Sequence, residues 1–124
     1  MKPNVIQTRH VLAVKDLTVS ARYFLETLGF TRDFTVEGWE FLSLGNFKVM
    51  LGECPDEVHA SGTGNHSYFA HILVEDVDSL FQTYQHRAAE FLFHVRDQPW
   101  GLREFGIKTP DGHRMVFGQK LGAD

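Results

Sequence analysis

Apolar positions along the chain switch between a period of two and a helical period, and they do so in the same order twice. HVLAV (10–14) alternates, with Leu12 and Val14 on one side. In KDLTVSARYFLETLGF that follows, Leu17, Ala21, Phe24, Leu25 and Leu28 recur at helical spacing. Asp16 or Thr18 can cap this helix and Gly29 can end it in the left-handed conformation. Three strand-like runs come next, TRDFTV, WEFLSL and FKVML, with turns at Glu37-Gly38 and Gly45-Asn46. The second copy opens on AHILV and continues into EDVDSLFQTYQHRAAEF, where Val77, Leu80, Phe81, Tyr84 and Ala88 form the stripe and Asp76 or Asp78 the cap. It closes with FLFHV, LREFGIK and RMVFG, turning at Gln98-Pro99-Trp100-Gly101 and Pro110-Asp111-Gly112.

This grammar predicts an α+β fold of two βαβββ modules, residues 5–52 and 67–120, within a single domain spanning 1–124. The intervening residues 53–66, beginning ECPDEVHASGTGN, read as a polar, glycine-bearing linker. One helix covers only one face of a four-stranded sheet, so each module leaves the other face to be covered. Either the two sheets curl toward each other or another chain is recruited, and a homodimer is expected.

Composition narrows the partners. The formal net charge is −4, with a pI near 5.9 and no basic run, which provides no footprint for a phosphate backbone and excludes nucleic acid. Charged residues interrupt every apolar run long before about 18 residues accumulate, and the opening MKPNVIQTRHVLAV lacks the apolar core of a secretory signal. A cytoplasmic protein with no membrane partner is expected. Cys54 is the only cysteine, which rules out an intrachain disulfide and a four-thiolate metal site. Standing between Glu53 and Pro55 without a cationic neighbour, it reads as a structural or surface thiol rather than a nucleophile.

The paired βαβββ pattern, with VKDLTVSARYFLETLGF in the first half and HILVEDVDSLFQTY and WGLREFGIKTPDGHRMVFGQ in the second, resembles the vicinal oxygen chelate superfamily. That group includes glyoxalase I, extradiol dioxygenases, fosfomycin resistance proteins and bleomycin resistance proteins. The Trp-Gly, Arg-Glu-Phe and Pro-Asp-Gly elements of the last hairpin resemble the bleomycin-resistance branch most closely. The resemblance implies a cup-shaped, incompletely closed mixed β-barrel whose inner wall carries the ligands; its enzymes hold a divalent metal through three or four wall residues. Counted from Asp16, Asp76 and Gly112, the implied metal positions are Arg9, Phe69 and Val116, with a fourth near Val49 or Met50. His10 is one residue off, and a one-residue offset turns it with Leu12 and Val14 toward the helix. Arginine, phenylalanine, valine and a thioether are not a ligand set for zinc, nickel, manganese or iron(II), so no metal and no cofactor are expected.

Strand parity then selects the inner wall. His71 shares a face with Phe69 and Leu73 and is the histidine best placed to meet a ligand; the plainer reading is a half-buried histidine bonded to a neighbouring strand or water. Glu104, with Gly106 and Lys108, should also face inward, where it can anchor a cationic ligand, act as a general base, or be neutralised by Arg9; the internal pair with Arg9 is preferred. Arg103 then points away. Trp39, Phe41 and Ser43 face opposite to the leucines of their strand, and with Phe69 and Trp100 they describe an aromatic-lined groove for a planar organic ligand, or simply more core. Of the other histidines, His59 and His66 read as solvated, His94 can face either side, His113 is a turn residue, and His86 suits the C-terminal end of its helix.

The resemblance therefore implies a non-catalytic protein that sequesters an aromatic or amphipathic small organic ligand, a cationic one being compatible with the acidic balance, with Arg9, Trp39, Phe41, Phe69, His71, Trp100 and Glu104 as its contacts. The alternatives are an enzyme of the same fold, using a metal through His71, Glu104 and His10 or Glu104 alone as base, and a structural partner-binding module whose groove is filled by its own side chains.

Overall fold

The computed structural model describes residues 4–56 and 68–122; His59 and His66 lie outside them. The chain divides into two compact units, Met1–Glu57 and Val58–Asp124.

The first module runs β1 (His10–Val14), α1 (Leu17–Arg22), β2 (Thr31–Val36), β3 (Trp39–Leu44) and β4 (Phe47–Glu53), with a π-helical turn at Tyr23–Thr27 extending α1. The second runs β5 (Tyr68–Leu73), α2 (Val77–His86), β6 (Glu90–Asp97), β7 (Leu102–Lys108) and β8 (Arg114–Lys120). The sheet orders are β1-β4-β3-β2 and β5-β8-β7-β6, so the duplication read from the sequence extends to topology. In each sheet the first strand pairs in parallel with the last, and the remaining pairs are antiparallel. The turns fall at the expected glycines, with Gly38, Gly101 and Gly112 all at positive φ.

Each helix covers one sheet face, as the stripes require. In the first module Leu12, Val14, Phe24, Leu28, Leu42, Val49 and Leu51 are buried between helix and sheet. His10 joins them edge-on to Phe47, 5.4 Å between ring centroids, with Nδ1 3.4 Å from the Lys48 carbonyl. That is the helix-facing orientation its offset predicted. In the second module Val77, Tyr84, Phe105, Ile107, Met115 and Phe117 are buried, and Phe105 stacks on Phe117 at 5.3 Å. His94 lies 5.4 Å from the Phe81 ring, which settles it on the helix side.

Both helices are capped in duplicate. Asp16 accepts from the Val19 amide and Asp76 from the Ser79 amide, each at 3.1 Å. The first amide of each helix is taken by a side chain from the module's last strand: Leu17 donates to Glu53 at 3.3 Å and Val77 to Gln119 at 2.9 Å. The second helix ends sooner than its stripe suggested. Arg87 is its cap, and Ala88 stands at φ 60 rather than on the helix. The Ala89 amide bonds back to the Tyr84 carbonyl at 2.9 Å, so a non-glycine residue occupies the left-handed position that glycine usually fills. Arg103 faces this helix side and bridges Asp97 at 2.8 Å and Asp78 at 2.9 Å; the two carboxylates, Asp97 first, raise its pKa further.

Candidate functional site

The helix-free face of the second module carries a cavity of about 800 Å³. Its wall includes His71 from β5, Arg96 from β6, Glu104 and Lys108 from β7, Val116 from β8, and Trp100 from the turn before β7. At its centre the Glu104 carboxylate meets Nε2 of His71 at 2.6 Å and accepts from the Trp100 indole N–H at 3.4 Å. Glu104 is only 4% exposed whereas Trp100 is 63% exposed, so a buried carboxylate is roofed by an open aromatic plane.

The pair exists because of a glycine. β5 and β7 are not neighbours, since β8 lies between them. Gly118 of β8 stands opposite Glu104 and Leu73, and a Cβ built there would fall 3.2 Å from both Glu104 Cγ and His71 Cε1. The missing side chain leaves the gap across which histidine and glutamate touch. At this point the final strand supplies room rather than chemistry. One proton lies between the two groups whichever atom holds it, because a bond this short between a carboxylate and an imidazole requires one. Among the described residues Nδ1 of His71 has no hydrogen-bond partner and is left to solvent or a ligand.

Structure and sequence disagree over two of the expected wall residues. Parity pairs Glu104 with Arg9, but its partner is His71, while Arg9 bonds Asp33 at 3.2 Å within the first module. Parity places residues on a face but does not choose between candidates brought to it by different strands. Phe69 is not on the cavity wall. The β5–β8 register shifts between Tyr68 and Ala70, which sets Tyr68 on the wall and turns Phe69 toward His113, 6.2 Å between centroids. A bulge inverts the alternation locally, and apolar spacing carries no mark of it. Leu73 keeps the expected side and is largely exposed.

Trp39, Phe41 and Arg9 gather on the helix-free face of the first module. Trp39 lies over Gly52, where a Cβ would approach its ring to 2.7 Å. Phe41 stacks on Phe34 at 4.2 Å, and the Arg9 guanidinium sits 5.1 Å above the Phe41 ring. Asp33 holds the arginine while accepting from Ser43 at 2.8 Å. The Ser43 hydroxyl, then Arg9, keeps the Asp33 carboxyl below the usual carboxylate range against an opposing effect of burial. Phe34, absent from the sequence reading, reaches this face through a register shift between Arg32 and Phe34. On the second module the sequence reading likewise passed over Arg96, the cross-strand partner of Glu104; only the pairing register identifies it.

The residues present do not fit a resident divalent metal. Val116, an implied ligand position, does face the cavity, but with an aliphatic side chain. His71 and Glu104 are engaged with each other, and His10 packs on the helix side of the other module. Among the described residues no three of His, Cys, Asp and Glu gather as a metal site.

A paired βαβββ architecture with an aromatic and polar cavity on an open sheet face defines a small-ligand fold of the glyoxalase type. The sequence model of the glyoxalase/bleomycin resistance protein/dioxygenase superfamily matches residues 6–117, and the chain belongs to that superfamily. It is 29% identical to a bleomycin resistance protein of Geobacillus stearothermophilus, over 94% of this chain and 98% of the relative. Among solved structures it is similar to a glyoxalase/bleomycin resistance protein/dioxygenase from Alicyclobacillus acidocaldarius, with a TM-score of 0.82 and 12% identity over 98% of this chain and 96% of that one. It is also similar to lactoylglutathione lyase from Agrobacterium tumefaciens, with a TM-score of 0.70 and 18% identity over 95% of each chain. The last two likenesses concern the fold alone. No described helix is long and apolar enough to cross a membrane.

Proposed function

We propose that this chain binds and sequesters a small aromatic or amphipathic organic molecule in the cytoplasm. The observation that carries the reading is the cavity of the second module, where the exposed Trp100 indole adjoins the buried Glu104 carboxylate, its partner His71 and an aliphatic wall. Likeness to a bleomycin resistance protein over nearly the whole chain supports a binding rather than a catalytic role. His71, Trp100 and Glu104 are the contacts assigned to this cavity. Arg9, Trp39 and Phe41 are a second candidate surface, on the first module. The test is titration with planar aromatic compounds followed by indole fluorescence, comparing Trp100→Phe with Trp39→Phe. Loss of response and several-fold weaker binding in Trp100→Phe supports the cavity. Unchanged affinity in both folded variants refutes the placement.

The helix-free sheet faces also support a homodimer. Val11 and Phe34 on the first module and Leu92 and Trp100 on the second are large apolar side chains left exposed in one chain. Light scattering decides it, and a mass near 14.2 kDa at high concentration would refute it.

A second reading rests on the His71–Glu104 bond. A buried carboxylate that fixes one imidazole nitrogen leaves the other as a metal-independent base. On that reading a bound carbon acid exchanges its proton with D2O at a rate that falls in His71→Gln and survives chelators. Ligand recovered unchanged and unlabelled supports sequestration.

A further inference from the structure

The charges around the cavity are unevenly placed. Glu104 is its one carboxylate, and that group already receives His71 at 2.6 Å and the Trp100 indole at 3.4 Å. Against it stand Arg96, Lys108 and Arg114. Lys108 is bound to Glu90 at 3.1 Å, and Arg114 is also engaged. Arg96 differs: among the described residues its guanidinium meets no carboxylate, and its contact is the face of Phe93, 4.4 Å from the ring centroid.

That contact orients the cation without neutralising it. A guanidinium over an aromatic ring keeps its in-plane N–H donors available, and these match the two oxygens of a carboxylate or sulfonate. Phe93 is itself fixed by Gly106, where a Cβ would come within 2.8 Å of the ring. Arg96 stands directly across from Glu104 in the β6–β7 register, and Trp100 touches the same Glu104. Facing residues on paired strands have Cβ atoms about 5 Å apart, so the cation and the indole plane lie within the length of one small aromatic molecule.

From this we infer that the cavity selects organic anions: an aromatic or apolar body lies against Trp100 while an acidic group is taken by Arg96. The inference rests on the cavity reading above and gives it a charge, opposite to the cation that Glu104 alone suggested. A cationic ligand would have to compete with His71 for the carboxylate and approach an arginine that no carboxylate contacts. A carboxylate meets neither obstacle.

Three probes of one shape separate the possibilities: naphthylacetate, naphthylacetamide and naphthylethylammonium, titrated calorimetrically into the full-length protein. The anion should bind about ten-fold more tightly than the amide, with the ammonium weakest, since a hydrogen-bonded charge pair at a half-open site contributes on that order. Arg96→Gln should erase the difference between anion and amide by weakening the anion far more than the amide, and Arg96→Lys should restore part of it. Raising salt to about 0.5 M should narrow the preference in the unaltered protein, a readout that stands if a variant fails to fold. Equal affinities, or a preference for the ammonium, with Trp100→Phe weakening all three, would overturn the inference and leave the cavity reading standing. An anion preference untouched by Arg96→Gln would overturn the role of Arg96. Failure of all three to bind would remove both.

Discussion

Replacing Glu104 by Gln and His71 by Phe, singly and together, measures whether the pair over Gly118 is a coupled unit. Glu104 is 4% exposed, and its bond to Nε2 is 2.6 Å long. A hydrogen bond involving a charged group contributes about 1.5–3 kcal/mol and a neutral one about 0.5–1.5 kcal/mol, so Glu104→Gln should cost about 1–2 kcal/mol. His71→Phe keeps a ring in place but leaves the buried carboxylate with only the longer indole contact at 3.4 Å. Its cost should therefore be larger, about 2–3 kcal/mol, because an unpaired buried acceptor retains its desolvation penalty. In that background Glu104→Gln should cost little or stabilise, since it removes the stranded charge. The expected coupling energy is at least about 1 kcal/mol. Urea unfolding at neutral pH and one fixed protein concentration, followed by circular dichroism, provides the four free energies; indole fluorescence is avoided because Trp100 is part of the site. Additivity within about 0.3 kcal/mol would refute the coupling.

Three other outcomes follow from the geometry. Gly106→Ala places a methyl 2.8 Å from the Phe93 ring and 3.1 Å from Leu92 Cβ, and the crowding should outweigh the backbone gain for a net loss of about 1 kcal/mol in urea unfolding; a stabilised variant contradicts the packing. Asp33 and Asp76 both titrate below the ordinary carboxylate range, held chiefly by the Ser43 and Ser79 hydroxyls respectively. Their stabilisation is complete above the unfolded value of about 3.9 and is lost as pH falls through the lower folded values. Asp33→Asn should thus flatten the acid limb of the stability curve, and an unaltered limb would show that the carboxylate does not contribute. Elemental analysis of untagged protein should find less than about one tenth of an equivalent of zinc, nickel, manganese or iron, because the cavity-facing positions lack a ligand set; near-stoichiometric metal lost in His71→Ala would reverse that conclusion.

The strands were legible from short alternating or apolar runs, and because their turns carry residues with one physical use. HVLAV, TRDFTV, WEFLSL and LREFGIK coincide with β1, β2, β3 and β7. Alternation also placed His71, Glu104 and Lys108 toward the open side, and the resemblance implied the same for Val116. Alternation failed at Phe69, where a register shift inverts the count, and another shift brings the unanticipated Phe34 to its face; such a shift depends on the partner strand, which a linear pattern does not contain. The helix stripe ran on to Ala88 because that position continues the helical spacing from Tyr84, yet the capping bonds of the last turn place it at φ 60. Glu104 was recognised as a functional candidate but given the wrong partner. Its contact with His71 depends on two strands meeting across a third, and the residue that permits this, Gly118, has no side chain to announce itself.

The duplicated caps from Glu53 and Gln119 tie the beginning of each module to its end. β1 and β4 lie side by side in parallel, as do β5 and β8, and the last strand of each pair also secures the first turn of the intervening helix. A module closed in this way has no natural place to fray inward from its last strand, because loosening that strand releases the first strand and the helix start as well. In native-state hydrogen exchange the amides of Leu12, Leu17 and Leu51 should open together as one cooperative unit, with Ile72, Val77 and Phe117 forming another. The function of the second unit would then be switched by its stability: a ligand held on β7 and β8 braces a helix on the opposite side of the sheet, and binding should be read out as slowed exchange at Val77, far from the cavity it never touches.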